Sequence, residues 1–178
     1  MNNCKILCLF FKLSNCKGGG LTLDYKFVPM NKLFANEIVY SWKYSGVYSF
    51  YDMTADEEDL IDFIDEKNWD RHYFEVLNSK EELIGYYLFY FEDKAMWVGF
   101  GLKPELTGIG LGATFVMAGI NFVVKKFNYK MNYIMLSVAI FNKRAIRTYE
   151  KIGFQLVTKY VQHTNGGEYE FIKMKKVI

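Results

Sequence analysis

Three glycines at every second position, in Leu106-Thr107-Gly108-Ile109-Gly110-Leu111-Gly112-Ala113, follow a strand-forming run, Ala95–Leu102, and open a long apolar stretch over 109–127. Valine, tryptophan and phenylalanine in the upstream run favour extended backbone. The downstream stretch is apolar nearly all round, as a helix buried against a sheet must be. The segment therefore predicts strand, tight turn, helix. The first turn of a helix leaves backbone N–H groups unpaired and carries partial positive charge. Glycines let a ligand approach that backbone closely, so the turn suits a pyrophosphate. A glycine-rich turn that only closes tightly on the sheet would have the same sequence.

The flanking elements limit the choice of fold. Leu21, Leu23, Tyr25 and Phe27 alternate with Thr22, Asp24, Lys26 and Val28, a period of two that predicts a strand ended by Pro29. A helix is predicted over 31–42. Thr54-Ala55-Asp56-Glu57 fits a capping box for a second helix. Runs at 72–77, 83–91 and 95–102, joined by Asn78-Ser79-Lys80 and Glu92-Asp93-Lys94, predict an antiparallel three-strand meander. Beyond the long helix come a strand over 133–141 and a helix over 142–152. Gly153 stands where a helix end wants a left-handed residue. Two last strands flank the hairpin signal Asn165-Gly166-Gly167. The expected fold class is mixed α/β (α+β): a largely antiparallel sheet of about seven strands with about four helices. A dinucleotide fold of the Rossmann type fits poorly. It expects two consecutive parallel βαβ units and an acid about 20 residues past the glycines, whereas antiparallel strands precede this turn and 127–131 holds no acid.

Composition bounds size and setting. The chain has 178 residues, 51 % of them hydrophobic and 24 % charged, a globular mix that excludes disorder and coiled coil. A net charge of +2 gives no reason to expect nucleic acid, and the apolar runs fall short of the roughly 20 residues that span a bilayer. All three cysteines, Cys4, Cys8 and Cys16, and the lysines Lys5, Lys12 and Lys17 lie in the first 20 residues, which contain no acid; the remainder holds 19 basic and 20 acidic residues. Three readings of 1–20 stand: a signal-peptide core, which is shorter than such a core requires; an extra strand or disordered tail; and a segment outside the natively translated chain. For the last, Lys17-Gly18-Gly19 can be encoded by a purine-rich ribosome-binding signal upstream of a TTG start at Leu21 or Leu23. The expected organisation is a leader over 1–20 and a single domain over 21–178, with no metal site.

A second motif lies 30 residues beyond the first. Asn142-Lys143-Arg144-Ala145-Ile146-Arg147-Thr148-Tyr149-Glu150-Lys151-Ile152-Gly153-Phe154 puts an asparagine at a helix start and a tyrosine seven residues on, along the same face. With the glycine turn at this separation, the chain resembles the GNAT superfamily of acetyl-CoA-dependent N-acetyltransferases from about Leu21 to Lys175, most strongly from Trp97 to Phe154. The family's motif, Gln/Arg-x-x-Gly-x-Gly/Ala, is matched by Thr107 through Gly112 except at Thr107. The resemblance implies that N–H groups from Ile109 to Ala113, in the turn Thr107, Gly108, Ile109, Gly110, Leu111, Gly112, Ala113, hold the cofactor's pyrophosphate. It further implies that Phe100, Gly101 and Leu102 pair with the pantetheine arm. Asn142 would orient the cofactor or acceptor, and Tyr149 would protonate the departing thiolate. Bland readings of the last two are a helix N-cap and a buried aromatic.

The implied function is transfer of an acetyl group from acetyl-CoA to a primary amine by direct attack. The resemblance leaves the acceptor open among a small amine, an antibiotic and a protein or peptide N-terminus. The alternative is a non-catalytic acyl-CoA-binding sensor or assembly subunit of the same fold. The resemblance implies a cytoplasmic bacterial protein, with a homodimer left open and no nucleic-acid or membrane partner. No carboxylate lies on the strand before the glycines, so no general base is assigned. Glu92 and Asp93 sit in the preceding turn, and Ser137 is placed to position water. The seven acids over 56–66 either draw a cationic acceptor or form a solvated face near a helix N-terminus. His72 and His163 are isolated, His163 being the better outside candidate. The hairpin over 160–171 is weakly similar to the ribosomal-protein alanine acetyltransferase branch.

Overall fold

The computed structural model describes residues 9–11, 25–69 and 72–178. The chain runs β1 (Leu9–Phe11), β2 (Tyr25–Pro29), α1 (Lys32–Ser41), a 3₁₀ segment (Gly46–Tyr51), α2 (Glu57–Ile64), β3 (Tyr73–Leu77), β4 (Leu83–Glu92), β5 (Ala95–Leu102), α3 (Gly112–Lys126), β6 (Tyr133–Ala139), α4 (Lys143–Lys151), β7 (Gln155–Thr164) and β8 (Gly167–Val177). The strands form one sheet in the order β1-β2-β3-β4-β5-β6-β8-β7. All neighbours are antiparallel except β5 and β6. From β2 onward this is the predicted order of seven strands and four helices. The backbone of Leu9–Phe11 adds an eighth strand beside β2; the other expectations for 1–20 lie outside the described residues. Among the described residues no helix is long and apolar enough to cross a membrane.

Period-two patterning along the central strands gives the sheet two apolar faces, and helices cover both. One core packs α3 on the sheet through Phe115, Ile120, Phe122 and Val123 against Phe27, Tyr87, Phe89 and Met96. The other buries Ala35, Ile38 and Val39 of α1 and Phe63 of α2 with Leu83 and Tyr86. The strand register slips so that Leu83 and Gly85 face successive residues of β3. This bulge flips the alternation and puts Ile84 and Tyr87 on the same face. Two hairpins use left-handed turns, Asp93-Lys94 (φ 50° and 65°) and Asn165-Gly166 (φ 50° and 69°), which match the twist of the strands they join.

Three sequence expectations are corrected. The capping box at Thr54 does not form. Asp56 caps α2 instead, accepting from the N–H groups of Glu58 (3.0 Å) and Asp59 (3.2 Å). Its second oxygen accepts from Asn165 N (2.6 Å) and the Thr164 hydroxyl (3.0 Å), so the β7–β8 hairpin fixes where the helix starts. The long helix begins at Gly112, not at 109, because Gly108 and Gly110 have φ of +79° and +92°, incompatible with a right-handed helix. Finally, β6 ends at Ala139, where Asn142 N turns back to the Ala139 carbonyl (3.0 Å).

Glu75 is the one buried charged residue among the described residues, at 2 % exposure. It lies on β3 and receives Asn31 Nδ2 at 2.9 Å and Asn31 N at 3.3 Å, while Asn31 Oδ1 caps α1 by accepting from Phe34 N at 3.1 Å. Burial pushes its carboxyl up from 4.5 to about 7, with the Asn31 bonds opposing the shift. A carboxyl raised on folding stabilises fully below its unfolded pKa and loses that contribution as pH rises through the folded value. Stability should therefore fall between pH 4.5 and about 7, by at most about 1.4 kcal/mol per pH unit. Glu75→Gln keeps an acceptor for Asn31 and removes the ionisation. It should flatten the decline when urea midpoints are measured across that range; an unchanged slope would show that Glu75 is not its source.

Candidate functional site

Strands β5 and β6 pair only at Met96–Ile134 and Trp97–Met135. Beyond these residues they diverge, and the split opens into a cavity of about 740 Å³. Its walls are the ends of β5 and β6, the glycine turn, α4, the 3₁₀ segment and the acidic face of α2. Thr107, Gly108, Gly110, Gly112 and Ala113 line it, as do Phe100, Gly101, Leu102, Asn142 and Tyr149. Among the turn residues singled out in the sequence, the side chains of Ile109 and Leu111 do not. Ile109 is exposed and Leu111 is buried in the interior.

The turn settles why its glycines are glycines. A Cβ at Gly110 would meet no atom within 4 Å, and one at Gly108 would meet only Arg144 Nη1, at 3.4 Å. These two positions therefore do not close on the sheet. Their left-handed backbone needs glycine, and they leave open space above the main chain. The N–H groups from Ile109 to Leu111 take no partner from the described residues. Gly112 is different, with Thr148 Cγ2 of α4 at 3.3 Å from where its Cβ would be. Thr107 turns its hydroxyl back onto the Pro104 carbonyl at 2.8 Å.

Strand β5 offers an open edge to the same cavity. Lys103 N donates to Ile84 O of β4 at 2.9 Å, whereas Met96 N donates to the Tyr129 hydroxyl at 3.0 Å, on the side away from β4. Strand alternation then points the main-chain groups of Phe100 and Leu102 away from β4 as well. The Tyr44 hydroxyl takes the Leu102 carbonyl at 2.9 Å. That leaves Phe100 N–H and C=O, with the Leu102 N–H, as the pairing edge.

Asn142 caps α4, its Oδ1 accepting from Ala145 N at 3.1 Å. Two turns on, the Tyr149 ring stands edge-on to Phe100 (5.8 Å, 90°) and packs on Phe154 (5.9 Å). Its hydroxyl has no hydrogen-bond partner among the described residues. Burial, with Tyr51 close by, holds its pKa well above the ordinary tyrosine value, so it keeps its proton at neutral pH. The bland readings of both residues are thus realised, yet both also face the cavity. The Tyr51 hydroxyl is enclosed without a hydrogen bond, beside Asn142 and the Ala139 carbonyl.

Asp59 and Asp62 of α2 and its cap Asp56, at intervals of three residues, also line the cavity. The Asp59 carboxyl is raised by burial and by its acidic neighbours, while the backbone of Asn165 and of Asp59 lowers that of Asp56. Ser137 faces the cavity with its Oγ 3.0 Å from the Tyr160 hydroxyl, but Glu92 and Asp93 do not reach it. Nor do the histidines: His72 stacks on Phe127 at 5.9 Å, and exposed His163 pairs with Glu168 at 3.2 Å. No cluster of metal-ligating side chains occurs among the described residues. Sequence reasoning missed Arg144 and the tyrosines of 44–51. The 3₁₀ segment carries no motif, and the reach of Arg144 to the glycine turn depends on how α4 lies.

The sequence matches the family model described as the acetyltransferase (GNAT) family over residues 37–154. No curated protein sequence matches it. Similar solved structures include spermidine N-acetyltransferase from Vibrio cholerae in complex with CoA and spermine, at 16 % identity and TM-score 0.63, covering 86 % of this chain and 95 % of that one. Ribosomal-protein-S5-alanine acetyltransferase from Vibrio fischeri matches at 18 % identity and TM-score 0.59, over 95 % and 96 % of the two chains. A GNAT-family acetyltransferase from Bacillus anthracis matches at 16 % and 0.63, over 95 % and 98 %. At these identities the structural likeness speaks for the fold.

Proposed function

Because this chain belongs to the acetyltransferase (GNAT) family, we propose that its cleft binds acetyl-CoA and passes the acetyl group to a primary amine by direct attack. The observation that carries the reading is that open glycine N–H groups, the free Phe100 edge and the unpaired Tyr149 hydroxyl all face one cavity. The turn holds the pyrophosphate through Ile109 to Ala113, and Phe100 with Gly101 and Leu102 aligns the pantetheine arm as an added strand. The amine nitrogen forms its bond to the thioester carbon as the carbon–sulfur bond breaks. Tyr149 gives its proton to the sulfur, and the proton lost by the amine leaves through water. No enzyme nucleophile is needed, in keeping with a cysteine-free sequence from Leu21 onward.

The wall of Asp56, Asp59 and Asp62 supports an amine acceptor, since it attracts a cation toward the cavity. Neighbours that include a spermidine N-acetyltransferase agree with that class. We take 21–178 as one acetyltransferase domain of a cytoplasmic bacterial enzyme, the bacterial part resting on the sources of those neighbours. CoA should raise the melting temperature, and acetyl-CoA with a panel of amines should release free CoA in proportion to acceptor. Stabilisation without turnover on any amine would favour the non-catalytic acyl-CoA-binding alternative. Absence of any CoA effect would overturn both.

A further inference from the structure

We propose that Arg144, on α4, supplies the cationic contact to the CoA pyrophosphate that the glycine turn itself lacks. The inference rests on the acetyl-CoA reading of the cleft. Residues 106–113 contain no lysine or arginine, and the Thr107 hydroxyl is spent on Pro104. The turn therefore meets an anion with N–H dipoles alone. Arg144 fills that gap from another element. Its Nη1 lies 3.4 Å from the position a Gly108 Cβ would take, and the residue lines the cavity.

Two contacts fix α4 along the turn. Arg144 lies at Gly108 and Thr148, one helical turn later, lies at Gly112. The guanidinium carbon sits 4.2 Å from the centre of the Tyr48 ring, which holds the group without neutralising it. No carboxylate pairs with Arg144 among the described residues. An always-charged, forked donor left unpaired beside open main-chain N–H groups matches a phosphate geometrically. Of the other α4 cations, Lys143 and Arg147 do not line the cavity; Lys151 does, but it stands two helical turns beyond Arg144, whereas Arg144 is the one set against Gly108.

The cofactor carries a second phosphate, on the 3′ position of its ribose, and the test separates the two. Dissociation constants for CoA and for 3′-dephospho-CoA are measured by calorimetry on the full chain and on three variants: Arg144→Gln, Arg144→Lys, and Arg144→Gln combined with Thr107→Arg. Arg144→Gln should weaken both ligands equally, by about tenfold or more, as expected for loss of a charge-assisted hydrogen bond. Arg144→Lys should recover part of the loss. The double variant should recover part as well, because position 107 borders the same stretch of cavity as Gly108. Unchanged CoA binding in Arg144→Gln overturns the proposal. A loss confined to CoA, with dephospho-CoA unaffected, also overturns it and places Arg144 at the 3′-phosphate. Failure of the unmodified protein to bind CoA would instead sink the acetyl-CoA reading beneath it. If Arg144→Gln loses its fold with the Tyr48 contact, Arg144→Met takes its place, since it keeps an apolar stem against the Tyr48 ring and removes the charge, and the same outcomes apply.

Discussion

Tyr149→Phe is expected to lower turnover by about a hundredfold or more while CoA binding changes little. Phenylalanine keeps the contacts with Phe100 and Phe154, so the seam between β5 and α4 stays packed. What disappears is one hydroxyl that no described residue holds by a hydrogen bond. Removing an unpaired hydroxyl from a half-buried ring on the cavity wall costs the fold little, so a loss of rate cannot be assigned to misfolding. Expelling a thiolate without a proton raises the barrier, and a positioned general acid typically contributes about 10²–10⁴-fold. The sign of the pKa shift fits this role. Burial raises the Tyr149 pKa above its ordinary value, so the proton is present throughout the neutral range. The rate should therefore show no alkaline fall from this residue below the usual tyrosine range of about pH 10. Steady-state kinetics on the best acceptor of an amine panel, with CoA affinity measured in parallel, provides the check. A variant that turns over as fast as the parent removes the general-acid assignment.

Local signals in the sequence were reliable where the chain's chemistry is local. The meander, the Asn165-Gly166 hairpin, the Asn142 cap and Gly153 after α4, whose φ is +95°, each follow from residues within a few positions of one another. The pairing of the glycine turn with Asn142 and Tyr149 was also legible, because two motifs at one spacing constrain each other. Failures came where a distant segment decides. Asp56, not Thr54, caps α2 because a hairpin more than 100 residues later holds its second oxygen. One failure was local: Ile109 and Leu111 resemble a helical continuation by their apolarity, yet the left-handed glycines beside them forbid it. Glu75 looks like any strand acid until the α1 cap, 44 residues earlier, turns out to be its partner. Arg144 and Tyr51 reach the cavity only through tertiary placement, which no spacing rule encodes.

Gly110→Asp is expected to weaken CoA binding by about a hundredfold or more while leaving the protein folded. The argument depends on what surrounds the position. A Cβ at Gly119 would overlap the Tyr87 ring, the same tyrosine whose hydroxyl donates to the Phe115 carbonyl at 2.6 Å. Substitution there disrupts the α3–sheet core and says nothing of a ligand. At Gly110 no heavy atom lies within 4 Å of a new Cβ, so the fold has room. The cost to stability is the φ of +92°, about 1–2 kcal/mol for an L-residue. Aspartate is among the residues that tolerate such backbone best. Its carboxylate would stand where the phosphates approach, and two like charges about 4 Å apart repel by about 4 kcal/mol at an effective dielectric of 20. Gly110→Ala, with the same backbone strain and no charge, should bind CoA more tightly than Gly110→Asp and separate repulsion from geometry. Urea unfolding and a calorimetric CoA titration on both variants read the two effects independently. If Gly110→Asp binds CoA as the parent does, the open space above this turn is not the anion site, and its glycines serve the backbone alone.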